Sequence, residues 1–97
     1  MMTYRFHPSA RRELTEAVAY YDRISRRLGD DFVDEVENAI NRILSFPEAW
    51  PTLSAETRRC RMKRFPYGLV YQIRGDEVVI VAVMHLHRKP NCWEDRL

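Results

Sequence analysis

Apolar residues recur at steps of three and four along Ala10, Leu14, Ala17, Val18, Tyr21, Ile24 and Leu28. This is the stripe of an amphipathic helix, and Arg11, Arg12, Glu16, Arg23 and Arg27 fall off it. Ser9 is placed to cap that helix, and Gly29 to end it as a residue able to take positive φ. A second stripe through Phe32, Val36, Ala39, Ile40, Ile43 and Leu44 predicts another helix, capped by Asp30 or Asp31 and stopped by Pro47. A connection of about two residues forces the helices to fold back on each other, so residues 9–46 are predicted to form an antiparallel helical hairpin.

The pattern on either side changes to a period of two. Tyr4-Arg5-Phe6 reads as a short first strand. After a rigid loop, Pro47-Glu48-Ala49-Trp50-Pro51, whose Trp50 is placed to lid the core, residues 57–65 set Arg59, Arg61 and Lys63 outward against Cys60 and Met62 inward. Pro66-Tyr67-Gly68 turns the chain, residues 69–73 form a second strand, and Gly75-Asp76 makes the hairpin into a third over residues 77–85. Residues 78–84 of that strand are apolar without interruption, the mark of a central strand buried on both faces. The helices can cover one face; the C-terminal tail or a partner must cover the other. The fold class expected is therefore α+β, one domain over residues 1–97. It comprises an N-terminal strand, a two-helix hairpin and a three-stranded antiparallel meander, with the helices on one face of the sheet.

The apolar run at 78–84 is far short of the ~20 residues a spanning helix needs. The N-terminus lacks the apolar segment of a secretory signal, so a cytoplasmic location with no membrane partner is expected. Cys60 and Cys92 lack CxxC spacing and are read as reduced, with Cys60 a small core residue. The net charge of +2 hides an asymmetry. Residues 1–51 carry seven Lys/Arg against nine Asp/Glu, and residues 52–97 carry nine against five. A polyanionic partner would be steered to the second half.

Within that half, Arg58-Arg59-Cys60-Arg61-Met62-Lys63-Arg64 holds five cations and no acid. On a strand, Arg59, Arg61 and Lys63 would share a face at ~6.5–7 Å spacing, which matches every second phosphate of one nucleic-acid strand. The alternative is a solvated edge strand whose charges deter aggregation. His85-Leu86-His87-Arg88-Lys89 follows the central strand, offering imidazoles that titrate near neutrality, yet no further ligand at a supporting spacing makes a metal site. Trp93 in the tail can pack on the open sheet face or stack on a base. No phosphate loop, metalloprotease motif or nucleophile–base pair is present, so neither a cofactor nor a metal is expected.

Taken together, Phe46-Pro47-x-x-Trp50-Pro51, Arg64-Phe65-Pro66-Tyr67-Gly68-Leu69-Val70-Tyr71 and His85-x-His87-Arg88-x-Pro90-x-x-Trp93-x-x-Arg96 give a chain that resembles the RelE/ParE toxin superfamily over nearly its whole length. It looks closest to the ParE-like, plasmid-stabilisation branch of type II toxin–antitoxin systems. The resemblance implies a two-helix layer on an antiparallel sheet that the first strand rejoins, and a cognate antitoxin that wraps the toxin as a hetero-oligomer. An apolar groove between the hairpin and the open sheet is the antitoxin contact expected.

The superfamily holds two kinds of poison. RelE-like members cut messenger RNA on the ribosome, and at their recurring basic and aromatic positions this chain has Gly68, His87 or Arg88, and Trp93. Only His87, helped by Arg61, Lys63 and Arg88, has the chemistry for such an endoribonuclease, since glycine and indole supply no acid or base. ParE-like members inhibit DNA gyrase by contact. The expectation is therefore a gyrase-directed toxin without catalytic residues, touching its target through Arg59, Arg61, Lys63, Arg64, His87, Arg88, Trp93 and Arg96. A ribosome-dependent nuclease acting on mRNA is the first alternative. A binding module that has lost its toxicity is the second.

Overall fold

A single residue, Ser25, separates the two helices. The computed structural model describes residues 2–87 and 93–97. It runs β1 (Thr3–Phe6), α1 (Pro8–Ile24), α2 (Arg26–Ser45), β2 (Arg58–Arg61), β3 (Tyr67–Arg74), β4 (Glu77–His85) and a final 3-10 turn at Glu94–Arg96. Ser25 takes an extended conformation and serves both helices: its N–H donates to Tyr21 O, and its Oγ accepts from the Leu28 N–H. Gly29 therefore does not end α1, and neither Asp30 nor Asp31 caps α2. Gly29 lies inside α2 where the helices approach; a Cβ there would sit 2.9 Å from Asp22 Oδ1 and 3.1 Å from Asp22 Cα. The break at Ser25 also leaves Ile24 exposed, outside the stripe that contained it. At the other end α1 begins two residues earlier than Ala10. Pro8 occupies the first turn, where it is well tolerated, and His7 Nδ1 accepts the Ser9 N–H as the cap.

The sheet order is β1-β4-β3-β2. The meander β2–β3–β4 is antiparallel, but β1 pairs parallel with β4 from Thr3↔Glu77 to Phe6↔Ile80, so the sheet as a whole is mixed. The helical hairpin and two strands intervene between these neighbours, which gives ample length for a parallel connection. The hairpin at Gly75 has φ 63°, a conformation suited to glycine in a tight turn.

Strand β4 is covered on both faces. Tyr71 pairs with Ile80 while Val70 pairs with Ala82, so Val81 is an extra, bulged residue. The bulge shifts the alternation. Val78, Ile80 and Val83 face the helices, whereas Val79, Val81, Ala82 and Met84 face the opposite side. On the helix side they join Phe32, Val36, Ile40, Ile43, Leu69 and Tyr71, and Tyr21 stacks on Phe32 at 5.1 Å with Phe65 edge-on at 4.8 Å. Each such side chain contributes about 1.5–3 kcal/mol by leaving water.

The opposite side is closed by Trp93, 1% exposed, over Val70, Val79, Val81, Ala82 and Met84. Beyond Ile80 the outer edge of β4 has no strand partner among the described residues, and two side chains bond to its backbone. Glu13 Oε1 accepts the Val83 N–H at 3.1 Å, and Arg96 Nη1 donates to Val81 O at 2.9 Å. The same two residues form a two-pronged pair, Nη1–Oε1 2.8 Å and Nη2–Oε2 3.0 Å, with both side chains largely buried. Arg96 thus ties the tail to α1 across the open edge.

The segment after α2 is tied down in the same way. Tyr71 Oη donates to Pro47 O, Arg58 Nη1 donates to Glu48 O and Trp50 O, and the Trp50 indole donates to Arg42 O. Trp50 packs half-buried against the helix-side core, as its position in the sequence suggests. Cys60 is buried with a free thiol; Cys92 lies outside the described residues.

Three outcomes are expected. Gly29→Ala should lower stability by about 1–2 kcal/mol in urea unfolding, because overpacking against Asp22 outweighs the ~1 kcal/mol helix-propensity gain; a stabilised variant would contradict the close approach. Arg96→Ala should cost about 3–5 kcal/mol, leaving a buried Glu13 and an unbonded Val81 carbonyl; a cost under about 1 kcal/mol would mean the tail stands apart from the core. Burial pushes the Tyr71 phenol up to about 12, against a lowering by Arg58. A raised folded pKa means its contribution is complete below the ordinary value near 10 and is lost as pH rises towards 12. Tyr71→Phe should therefore show a shallower loss of stability over pH 10–12 than the parent, measured by circular dichroism.

Candidate functional site

The cationic segment comes to lie along the outermost strand of the sheet, its first residues bridged on the outer side by Pro51–Thr52: Thr52 pairs antiparallel with Arg58, and the Arg59 N–H donates to Pro51 O at 3.0 Å. β2 is the edge strand opposite β1, with Arg59 opposite Val70 and Arg61 opposite Gly68. Directly opposed residues share a face, so Arg59 and Arg61 lie on the Trp93 side of the sheet. Arg61 is exposed and Arg59 partly so. Arg59 lies along the sheet because position 68 is glycine: a Cβ there would meet Arg59 Cγ and Cδ at 3.1 Å and Leu86 Cδ2 at 3.4 Å. The bare backbone of Gly68 is a bed for the Arg59 stem.

The expected strand over residues 57–65 is shorter than its alternation suggests. It ends at Arg61, so Lys63 does not continue the row as a strand residue. The reason is Glu35 on α2, whose Oε1 accepts both the Lys63 N–H (3.1 Å) and the Arg64 N–H (3.0 Å) and bends the chain away from β3. Lys63 remains exposed. Arg64 reaches Asp31 at 2.9 Å and lies 5.5 Å over the Phe65 ring, so its charge is shared with the helices. Arg42, a cation that sequence patterning left unremarked on α2, holds the end of the row from beneath by donating to Arg61 O at 3.0 Å.

The remaining expected contacts divide. His87 is exposed at the end of β4, and its N–H donates to His85 Nδ1 at 3.2 Å, with the rings 5.2 Å apart. The His85 ring also meets the edge of Tyr67 at 5.2 Å. Trp93 and Arg96 are not available as surface contacts: the first is core, the second is paired with Glu13. Burial of residues 79–84 demands a cover, and these two supply it. Arg88 lies outside the described residues. Among the described residues no cluster of three His, Cys, Asp or Glu side chains is arranged to hold a metal ion.

The apolar groove expected between the hairpin and an open sheet is closed on its sheet side by Trp93. A groove of about 230 Å³ lies between β1 and the two helices, walled by Tyr4, Phe6, Leu14, Val18, Val33 and Ile40. Tyr4 and Val33 are exposed there. No helix among the described residues is long and apolar enough to cross a membrane.

Comparison with known proteins bears directly on this arrangement. The profile described as "ParE toxin of type II toxin-antitoxin system, parDE" matches residues 4–90. "Toxin ParE2" of Mycobacterium tuberculosis, in the CDC 1551 / Oshkosh and ATCC 25618 / H37Rv strains alike, is 33% identical over 95 residues, which cover 93% of this chain and 87% of that protein. Among solved structures, "Chromosomal ParDE TA system from P. aeruginosa" superposes with a TM-score of 0.64 over 88% of this chain and 96% of that one, at 14% identity. That last likeness speaks to the fold alone. With the profile spanning the first strand, both helices and the whole meander, the chain belongs to the ParE toxin family of type II toxin–antitoxin systems.

Proposed function

We propose that this toxin arrests growth by binding DNA gyrase through surface contacts, with no bond broken by its own side chains, and that a cognate antitoxin neutralises it in a hetero-oligomer. The observation that carries the reading is where the functional candidates lie. Trp93 is absorbed into the core and Arg96 is paired with Glu13, and the free cations on that side, among the described residues, include Arg59 and Arg61 beside Gly68. Cleavage of RNA needs a group to take a proton and another to give one, set about one phosphate. Gly68 supplies neither, and the buried indole is out of reach of a substrate. A grip on a large anionic assembly needs only exposed, positioned cations. The antitoxin is assigned to the groove between β1 and the helices, where exposed Tyr4 and Val33 would leave water.

Expression of the toxin alone in a bacterial host should stop growth with a DNA-damage response, and the purified protein should inhibit supercoiling by gyrase in vitro. His87→Ala should weaken both effects only modestly, as the loss of one contact among several does. Rapid cleavage of messenger RNA with supercoiling intact, abolished by His87→Ala in a folded protein that still binds antitoxin, would replace this reading with a ribosome-dependent endoribonuclease. Unimpaired growth without the antitoxin would leave a non-toxic binding module.

A further inference from the structure

We infer that the cationic face of β2 is a duplex-DNA backbone grip, in which Arg59, laid flat over Gly68, and Arg61 take phosphates of one strand, with Lys63 as a third contact. The inference deepens the gyrase reading and rests on it for the biological target, though not for DNA binding itself. Arg59 and Arg61 sit at alternate positions on one face of an extended strand, ~6.5–7 Å apart. One DNA strand advances ~3.4 Å per phosphate, so this interval spans two steps. The row is rigid. β2 is hydrogen-bonded to β3 on one side, Arg42 holds the Arg61 carbonyl, and Glu35 holds the Lys63 and Arg64 amides. Among the described residues, no acid forms an ion pair with the side chains of Arg59, Arg61 or Lys63, whereas Arg5, Arg64 and Arg96 are paired. The three charges are left for a ligand.

The choice of a duplex follows from what the face lacks. Proteins that grip single strands interleave cations with exposed aromatic rings on which bases stack. Here Trp93 on the same face is buried, and Tyr67 on β3 is turned into the helix-side core against Phe32. The exposed aromatics Tyr4 and Tyr20 belong to β1 and α1, and Phe46 follows α2. Cations without a stacking platform fit a continuous phosphate ridge. Gly68 is then a positioning residue: it bears no charge, yet its missing Cβ sets where the Arg59 guanidinium lies.

The test is fluorescence anisotropy of the purified toxin with a labelled 20-base-pair duplex across a salt series. Three phosphate contacts at ~0.9 each predict that R59A/R61A/K63A lowers the slope of log K against log salt by about 2.7. Over 50 to 200 mM salt that difference amounts to about a 40-fold affinity change. R59K/R61K should preserve the slope. Gly68→Ala should weaken binding at constant net charge, because it lifts the Arg59 stem. Absence of duplex binding by the parent at 50 mM salt, an unchanged slope in the triple variant, or tighter binding to single-stranded RNA of equal length would each overturn the inference. Supercoiling assays separate the two levels. A triple variant that inhibits gyrase as well as the parent removes the DNA grip and leaves the gyrase reading standing. A parent that binds duplex through these residues but does not inhibit gyrase removes the gyrase reading and leaves the grip.

Discussion

Strand β4 is apolar on both faces, and the rest of the molecule is arranged around the need to cover it. Residues 78–84 are all buried, four on one side and three on the other once the bulge at Val81 is counted. Two antiparallel helices cover the side with Val78, Ile80 and Val83. Neither α-helix reaches the other side, which Trp93 covers instead. A tail held by one aromatic ring would fray, since the ends of a chain are poorly ordered unless tied down. The Arg96–Glu13 pair supplies the tie, and because it also bonds Val81 and Val83 it completes the edge that β1 leaves unpaired. One ion pair thus joins α1, β4 and the C-terminus.

That arrangement decides which residues are left for function. A tryptophan and an arginine near the C-terminus of a basic toxin look like contacts for a nucleic-acid or protein target, and in this chain they stabilise the sheet. The exposed cations shift to the outermost strand, β2, which is paired with β3 on one side and bridged only at Arg58 and Arg59 on the other. Lysine and arginine on a free edge also discourage pairing with another chain, so the row protects the edge whether or not a target is present. The fit of Arg59 over Gly68 goes further than protection requires. A side chain with freedom in solvent would serve solubility equally well; one laid along a glycine has a set position.

Much of the fold was legible in periodicity. The stripe through Phe32, Val36, Ala39, Ile40 and Ile43 is buried as its spacing demands, and the seven-residue apolar run is the doubly covered strand. The helix boundaries were less legible. Gly29 looks like a terminator because glycine is costly within a helix, but here close contact with α1 at Asp22 outweighs propensity, and Ser25 performs the capping. The row of Arg59, Arg61 and Lys63 is a strand by its alternation, yet Glu35, twenty-eight residues before Lys63, captures two backbone amides and ends it at Arg61.

The sequence by itself determined the element types and order, the doubly buried strand, the concentration of positive charge in the second half, and the superfamily. These depend on side-chain period and composition, which are local properties of the chain. Only the tertiary structure decided that β1 runs parallel to β4, that Trp93 belongs to the core while Arg96 pairs with Glu13, and that Arg59 rests on Gly68. Each of those depends on contacts between residues far apart in sequence, where a carboxylate, an open edge or a missing Cβ on one element sets the role of a side chain on another.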